Sequence, residues 1–171
     1  NNGTLEIISG TIQSNANSGA INNNLTGTLK VSGGSIIATG TRQAIYNDGG
    51  TLEITGDAYL SSTSSERATV QNNKPTSANA GTITISGGTI VSSNTTTKGA
   101  VENATTGTLN INPTTYMAIN GTQGTSLIVN DGANIRVQSE STTVGGIYLR
   151  NGITFNNAVY IYDCPNGKNH S

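Results

Sequence analysis

Arg42, Arg67 and Lys98 each stand three residues ahead of a β-branched residue, Ile45, Val70 and Val101 respectively. Three of the eight bases in the chain therefore recur in one register. If that register is structural, the three cations share a corner of the molecule and repel one another, and an anionic partner would offset the repulsion. The chemistry on offer is electrostatic binding of an acidic glycan, a teichoic acid or a phosphate-rich surface. The plainer alternative is that the long side chains splay into water near Glu66. Catalysis has less to work with. His170 is the sole histidine and lies between Asn169 and Ser171, which leaves no histidine triad and no multi-histidine metal site. Cys164 precedes Pro165 with no histidine placed to activate it, so an unpaired or intermolecular thiol is expected. No catalytic residue, metal ligand or cofactor site is assigned from the sequence.

The elements that position these residues follow from composition. Thr (27), Asn (23), Gly (22) and Ser (17) supply 89 of the 171 residues, and only 10% are charged. Such residues make poor helix interiors. The net charge of −1 and the many Thr, Ile and Val residues point to ordered β-structure rather than disorder. A pI near 5.7 without clustered excess base argues against a nucleic-acid partner. The longest uninterrupted apolar run, Ala158 to Tyr162, is far too short to span a bilayer.

An internal repeat organises the chain. Gly3-Thr-Leu-Glu-Ile returns as Gly27-Thr-Leu-Lys-Val, Gly50-Thr-Leu-Glu-Ile, Gly81-Thr-Ile-Thr-Ile and Gly107-Thr-Leu-Asn-Ile, with a degraded sixth copy at Gly132. Five residues after the second apolar position a large residue recurs, at Ile12, Ile36, Tyr59, Ile90 and Tyr116. That offset predicts a second strand after a tight turn. A third element is centred on Ile21, Ile45, Val70, Val101, Ile128 and Leu149, each followed two residues later by an asparagine. Those asparagines are Asn23, Asn47, Asn72, Asn103, Asn130 and Asn151.

Three short strands per repeat cannot bury an apolar face alone, but stacked as parallel coils they form continuous inward columns. The expected fold is therefore all-β, a single parallel β-helix of about six three-strand coils with a stacked asparagine ladder. It would span residues 1–162, closing in a partial coil or cap, with 163–171 a tail or linker. No cap is visible at the amino end, which leads us to expect a further coil or domain upstream. On such a stack Glu6, Lys30 and Glu53 form an alternating charge column, and no two acids adjoin as a general acid–base pair or Ca²⁺ site requires. With Tyr59 and Tyr116 pointing inward, Ile37, Leu60, Val91 and Met117 point outward, an apolar stripe suited to packing or to a partner surface.

The run Gly81-Thr-Ile-Thr-Ile-Ser-Gly-Gly-Thr-Ile90 resembles the right-handed β-helix repeats of pectate-lyase-like adhesive modules in large bacterial surface proteins. The resemblance covers about residues 3–162 and implies right-handed coiling, in keeping with parallel crossovers generally. It is specific for architecture and silent on activity, because this superfold hosts lyases, hydrolases, adhesins and passive stalks. The expected role is a non-catalytic extracellular module of a bacterial surface protein, in adhesion, glycan or surface binding, or as a stalk. Its partners would be a glycan, an anionic cell-surface polymer or an adjacent domain of the same chain. A carbohydrate-active β-helix, or its binding fragment, is the competing reading.

Overall fold

Thr28-Leu29-Lys30-Val31 shows why these segments are strands. Leu29 and Val31 are buried while Thr28 and Lys30 face outward, a period of two that only extended backbone produces. The computed structural model describes residues 1–15, 17–72, 81–92, 100–103, 107–111, 118–121, 126–129, 134–135, 146–149, 154–155, 161–163 and 168–170. No helix occurs among them.

The first coil comprises β1 (Thr4–Ile7), β2 (Thr11–Ser14) and β3 (Ile21–Asn24). The second is β4 (Thr28–Val31), β5 (Ser35–Ala38) and β6 (Ile45–Asp48), and the third β7 (Thr51–Ile54), β8 (Tyr59–Ser62) and β9 (Val70–Asn72). β10 (Thr82–Ile85), β11 (Thr89–Ser92) and β12 (Val101–Asn103) complete the fourth. Beyond it lie β13 (Thr108–Ile111), β14 (Ala118–Gly121), β15 (Ser126–Val129), β16 (Asn134–Ile135), β17 (Gly146–Leu149) and β18 (Thr154–Phe155). β19 (Ile161–Asp163) and β20 (Lys168–His170) end the series as an antiparallel pair that straddles the expected boundary at residue 162.

Strands from successive coils pair in parallel to build three sheets, β1-β4-β7-β10-β13, β2-β5-β8-β11-β14 and β3-β6-β9-β12-β15-β17. The chain is thus a parallel β-solenoid. It has about four complete turns among the described residues, fewer than the six expected; the fifth copy supplies β13 to β15, and the degraded sixth contributes the two-residue β16, paired with β18. Parallel register places like over like: Leu29, Leu52, Ile83 and Leu109 form one fully buried column, and Val31, Ile54 and Ile85 a second. Leu5 stands at the end of its column and is 37% exposed. The expected Glu6-Lys30-Glu53 column is present, with Lys30 Nζ 3.9 Å from Glu6 Oε1.

The second sheet corrects the sequence reading. Its inward column is Ile12, Ile36, Leu60 and Ile90, with Ile119 the next residue in register, and Tyr59 is not part of it. Leu60 is completely buried, whereas Tyr59 is 39% exposed. The cause is the turn. Between β4 and β5 it takes three residues, Ser32, Gly33 and Gly34, but between β7 and β8 it takes four, Thr55 to Ala58. The left-handed position moves with it, from Gly34 (φ 75°) to Gly56 (φ 56°). One inserted residue reverses every side chain beyond it. The outward positions are therefore Gln13, Ile37, Ser61 and Val91, so Leu60 drops out of the expected stripe of Ile37, Leu60, Val91 and Met117. Met117 and Tyr116 lie outside the described residues.

The asparagine ladder runs along the inner edge of the third sheet. Asn23, Asn47 and Asn72 are fully buried; Asn23 Nδ2 donates to Asn47 Oδ1, and Asn47 Nδ2 to Asn72 Oδ1, each at 2.8 Å. The same nitrogens also donate to turn carbonyls, Asn23 to Gly27 at 3.2 Å and Asn47 to Gly50 at 2.8 Å. Asn1 adds a rung, its Nδ2 donating to Asn23 Oδ1 at 2.9 Å. Asn103 pairs in register with Asn72, but the next positions in the column are Val129 and then Leu149. The centre of β15 has slipped by one residue, setting Leu127 rather than Ile128 in the register that precedes the ladder. Asn130 and Asn151 lie outside the described residues.

Candidate functional site

The outer face of the third sheet follows from the inner one. Because Ile45, Asn47, Val70 and Asn72 point inward, Tyr46 and Gln71 face outward, stacked above Asn22 and below Glu102. Arg42 and Arg67 enter from the loops preceding β6 and β9, at equivalent positions because Ile45 pairs with Val70. Adjacent coils are about 4.8 Å apart, so the two loops run side by side.

Serines tie these loops together. Ser62 Oγ donates to the Arg42 carbonyl at 3.2 Å, and Ser64 Oγ donates to the Thr41 carbonyl at 2.7 Å. Ser64 Oγ in turn accepts from the backbone N–H of Glu66 (3.1 Å) and of Arg67 (2.9 Å), a serine turn that fixes where Arg67 leaves the backbone.

Arg42 and Arg67, both half-buried, line a cavity of about 210 Å³ with Tyr46, Gln43, Gln71 and Asn22. Ser18 and Gly19 close its rim. A Cβ on Gly19 would come within 3.1 Å of the Gln43 carbonyl, so glycine is what lets the rim sit against the floor. The floor is polar and incompletely satisfied: Gln43, 8% exposed, has an Oε1 with no hydrogen-bond partner, and Gln71, 2% exposed, has an Nε2 with none. Buried amide atoms left this way cost free energy unless something else binds them. Neither arginine forms an ion pair with Glu66 or any other acid among the described residues.

The groove is also electrically polar along the strand. The cations lie on the loop side, and Asp48 lies at the far end of β6, where its Oδ1 accepts a hydrogen bond from Tyr46 Oη at 3.2 Å. Burial, then the charge of Asp48, then this hydrogen bond push the Tyr46 phenol from 10.0 up to about 12, with Arg67 pulling the other way. Tyr46 is therefore a neutral donor at ordinary pH. Its folded-state value exceeds the unfolded one, so the stability it contributes is intact below pH 10 and drains as pH climbs through about 12. Alkaline titration of tyrosinate absorbance is expected to show one phenol near pH 12 that disappears in Tyr46→Phe and moves back toward 10 in Asp48→Asn. A difference curve already centred at the ordinary value contradicts this arrangement.

Of the three cations singled out in the sequence, Arg42 and Arg67 come together and Lys98 lies outside the described residues. Tyr46, Gln43 and Gln71 were not singled out, although alternation around Ile45 and Val70 carried the signal for Tyr46 and Gln71. Among the described residues no three His, Cys, Asp or Glu side chains cluster as metal ligands, and no helix is long and apolar enough to cross a membrane. Comparison with protein-family models, curated proteins and solved structures yields no match to this chain.

Proposed function

We propose that this chain is a non-catalytic β-solenoid module that binds an anionic glycan or cell-surface polymer, as an extracellular part of a bacterial surface protein. The observation that carries the reading is the groove itself: two arginines with no acidic partner among the described residues line a cavity with two buried glutamines, each of which has one amide atom without a hydrogen bond. A planar guanidinium suits an oxyanion, and the unpaired amides are complementary to the polar groups of a sugar. The likeness of Gly81–Ile90 to repeats of pectate-lyase-like adhesive modules supports the extracellular, adhesive setting.

Replacing Arg42, Arg67 and Lys98 together by serine is expected to abolish salt-sensitive retention on immobilised acidic polysaccharide while leaving the far-ultraviolet spectrum of β-structure intact. Unchanged retention would leave a passive stalk as the better description. Assays for unsaturated products or new reducing ends are expected to stay blank on acidic and neutral polysaccharides alike; turnover that vanishes on replacing one carboxylate would make the module an enzyme.

A further inference from the structure

We propose that the groove recognises a sugar acid carrying a secondary amide, with its carboxylate on Arg42 and Arg67 and its N-acyl group between Gln43 and Gln71; this rests on the anionic-glycan reading above. The two unpaired atoms have opposite polarity, an acceptor at Gln43 Oε1 and a donor at Gln71 Nε2. They also belong to different places. Gln71 pairs with Tyr46 in register, whereas Gln43 lies in the loop ahead of β6, three residues before Tyr46, so the two glutamines belong to adjacent coils and to different parts of them. A ligand that satisfies both must present a donor and an acceptor on separate atoms.

A phosphodiester polymer offers acceptors alone and leaves Gln43 Oε1 unpaired. Hydroxyls can turn to either polarity, as can the water they displace, so a plain sugar acid gains little selectivity from the floor. A secondary amide has fixed polarity, with N–H and C=O on opposite edges, and matches an acceptor and a donor held apart. Its acyl methyl would lie against the ring of Tyr46, the aromatic surface in the groove. The charges set the orientation: carboxylate toward the arginine loops, away from Asp48 at the strand's end.

The experiment is calorimetric titration of the folded chain with N-acetylneuraminate, with its analogue bearing hydroxyl in place of the acetamido group, and with N-acetylmannosamine, glucuronate, glycerol phosphate and a short N-acetylated aspartyl peptide. The acetamido acid is expected to bind about tenfold more tightly than its hydroxyl analogue, the worth of one well-made pair of hydrogen bonds, and the neutral amide not detectably. Gln71→Met should erase the preference for the acetamido acid over the hydroxyl analogue, and Arg42→Ser with Arg67→Ser should erase binding of both. Thermal melting controls for folding: removing an unpaired buried amide is expected to leave the Gln71→Met midpoint unchanged or raised. Equal binding of the two acids, equal binding of the peptide or glycerol phosphate, or an undiminished preference in Gln71→Met overturns the proposal. If the arginine variant still loses binding in those cases, the anionic-glycan reading survives; if no acid binds and the serine variant keeps its column retention, that reading fails as well.

Discussion

Asn47→Asp is expected to destabilise the solenoid by about 3–5 kcal/mol, read as a shift of the urea midpoint. Asn47 is fully buried, and its Nδ2 donates to Asn72 Oδ1 and the Gly50 carbonyl at 2.8 Å and to the Thr82 carbonyl at 3.4 Å. Aspartate is nearly the same shape but replaces this donor with a second acceptor. Three oxygens would then face a carboxylate in a site sealed from water. The introduced carboxyl escapes by staying protonated, so its folded-state value rises above the unfolded value of about 3.9. Destabilisation should accordingly be small in acid and grow as pH climbs past that unfolded value, a signature that truncation does not give. Asn47→Ala, which removes the rung and leaves Asn72 Oδ1 one donor short, is expected to cost about 2–3 kcal/mol with no such pH dependence. An aspartate variant as stable as the wild type at neutral pH would mean that the ladder does not hold the coils together.

The second large effect separates two neighbours on one strand. Leu60 is completely buried in the column between Ile36 and Ile90, and Leu60→Ala is expected to cost about 2–5 kcal/mol from lost burial and the cavity left behind. Tyr59 is 39% exposed, and Tyr59→Ala is expected to stay within about 1 kcal/mol of the wild type. Denaturant titration of the two variants reads the register of β8 directly. A costly Tyr59→Ala beside a tolerated Leu60→Ala would restore the uniform five-residue offset and the outward apolar stripe.

That pair also shows where the sequence was legible and where it was not. The repeat Gly-Thr-Leu-x-Ile revealed the first sheet fully, because its five copies have equal strand length and lie in the register that Thr4, Thr28, Thr51, Thr82 and Thr108 imply. The ladder at Asn23, Asn47 and Asn72 was legible for the same reason: a buried amide column tolerates few other residues, so it leaves a mark even when loop lengths vary. Turn length was not legible. Thr55-Gly56-Asp57-Ala58 and Ser32-Gly33-Gly34 both read as tight turns, yet one extra residue reverses the face of β8, and only the closure of the coil decides which side chain ends inside. Likewise at β15 the spacing to Asn130 suggested a continuing ladder, while strand pairing sets Val129 opposite Asn103.

The site was half legible. Arg42 and Arg67 stood out because charge is scarce in this chain and because they share an offset from Ile45 and Val70. Gln43 and Gln71 did not, since glutamine carries no charge and the alternation that turns Gln71 outward says nothing of whether its amide finds a partner. What marks them is the combination of burial with missing partners, which exists only once Gly19, Asn22 and the serine-tied loops have closed around them.

Binding at this face of the third sheet is read residue by residue by nuclear magnetic resonance of the isotopically labelled chain titrated with a sugar acid carrying an N-acyl group. The side-chain amide signals of Gln43 and Gln71 and the guanidinium signals of Arg42 and Arg67 are expected to move together and saturate at one ligand concentration. The ladder amides of Asn23, Asn47 and Asn72, sealed in the interior, stay where they are. Saturable shifts confined to the first or second sheet, or no shifts at concentrations that saturate the acidic-glycan column, would contradict it.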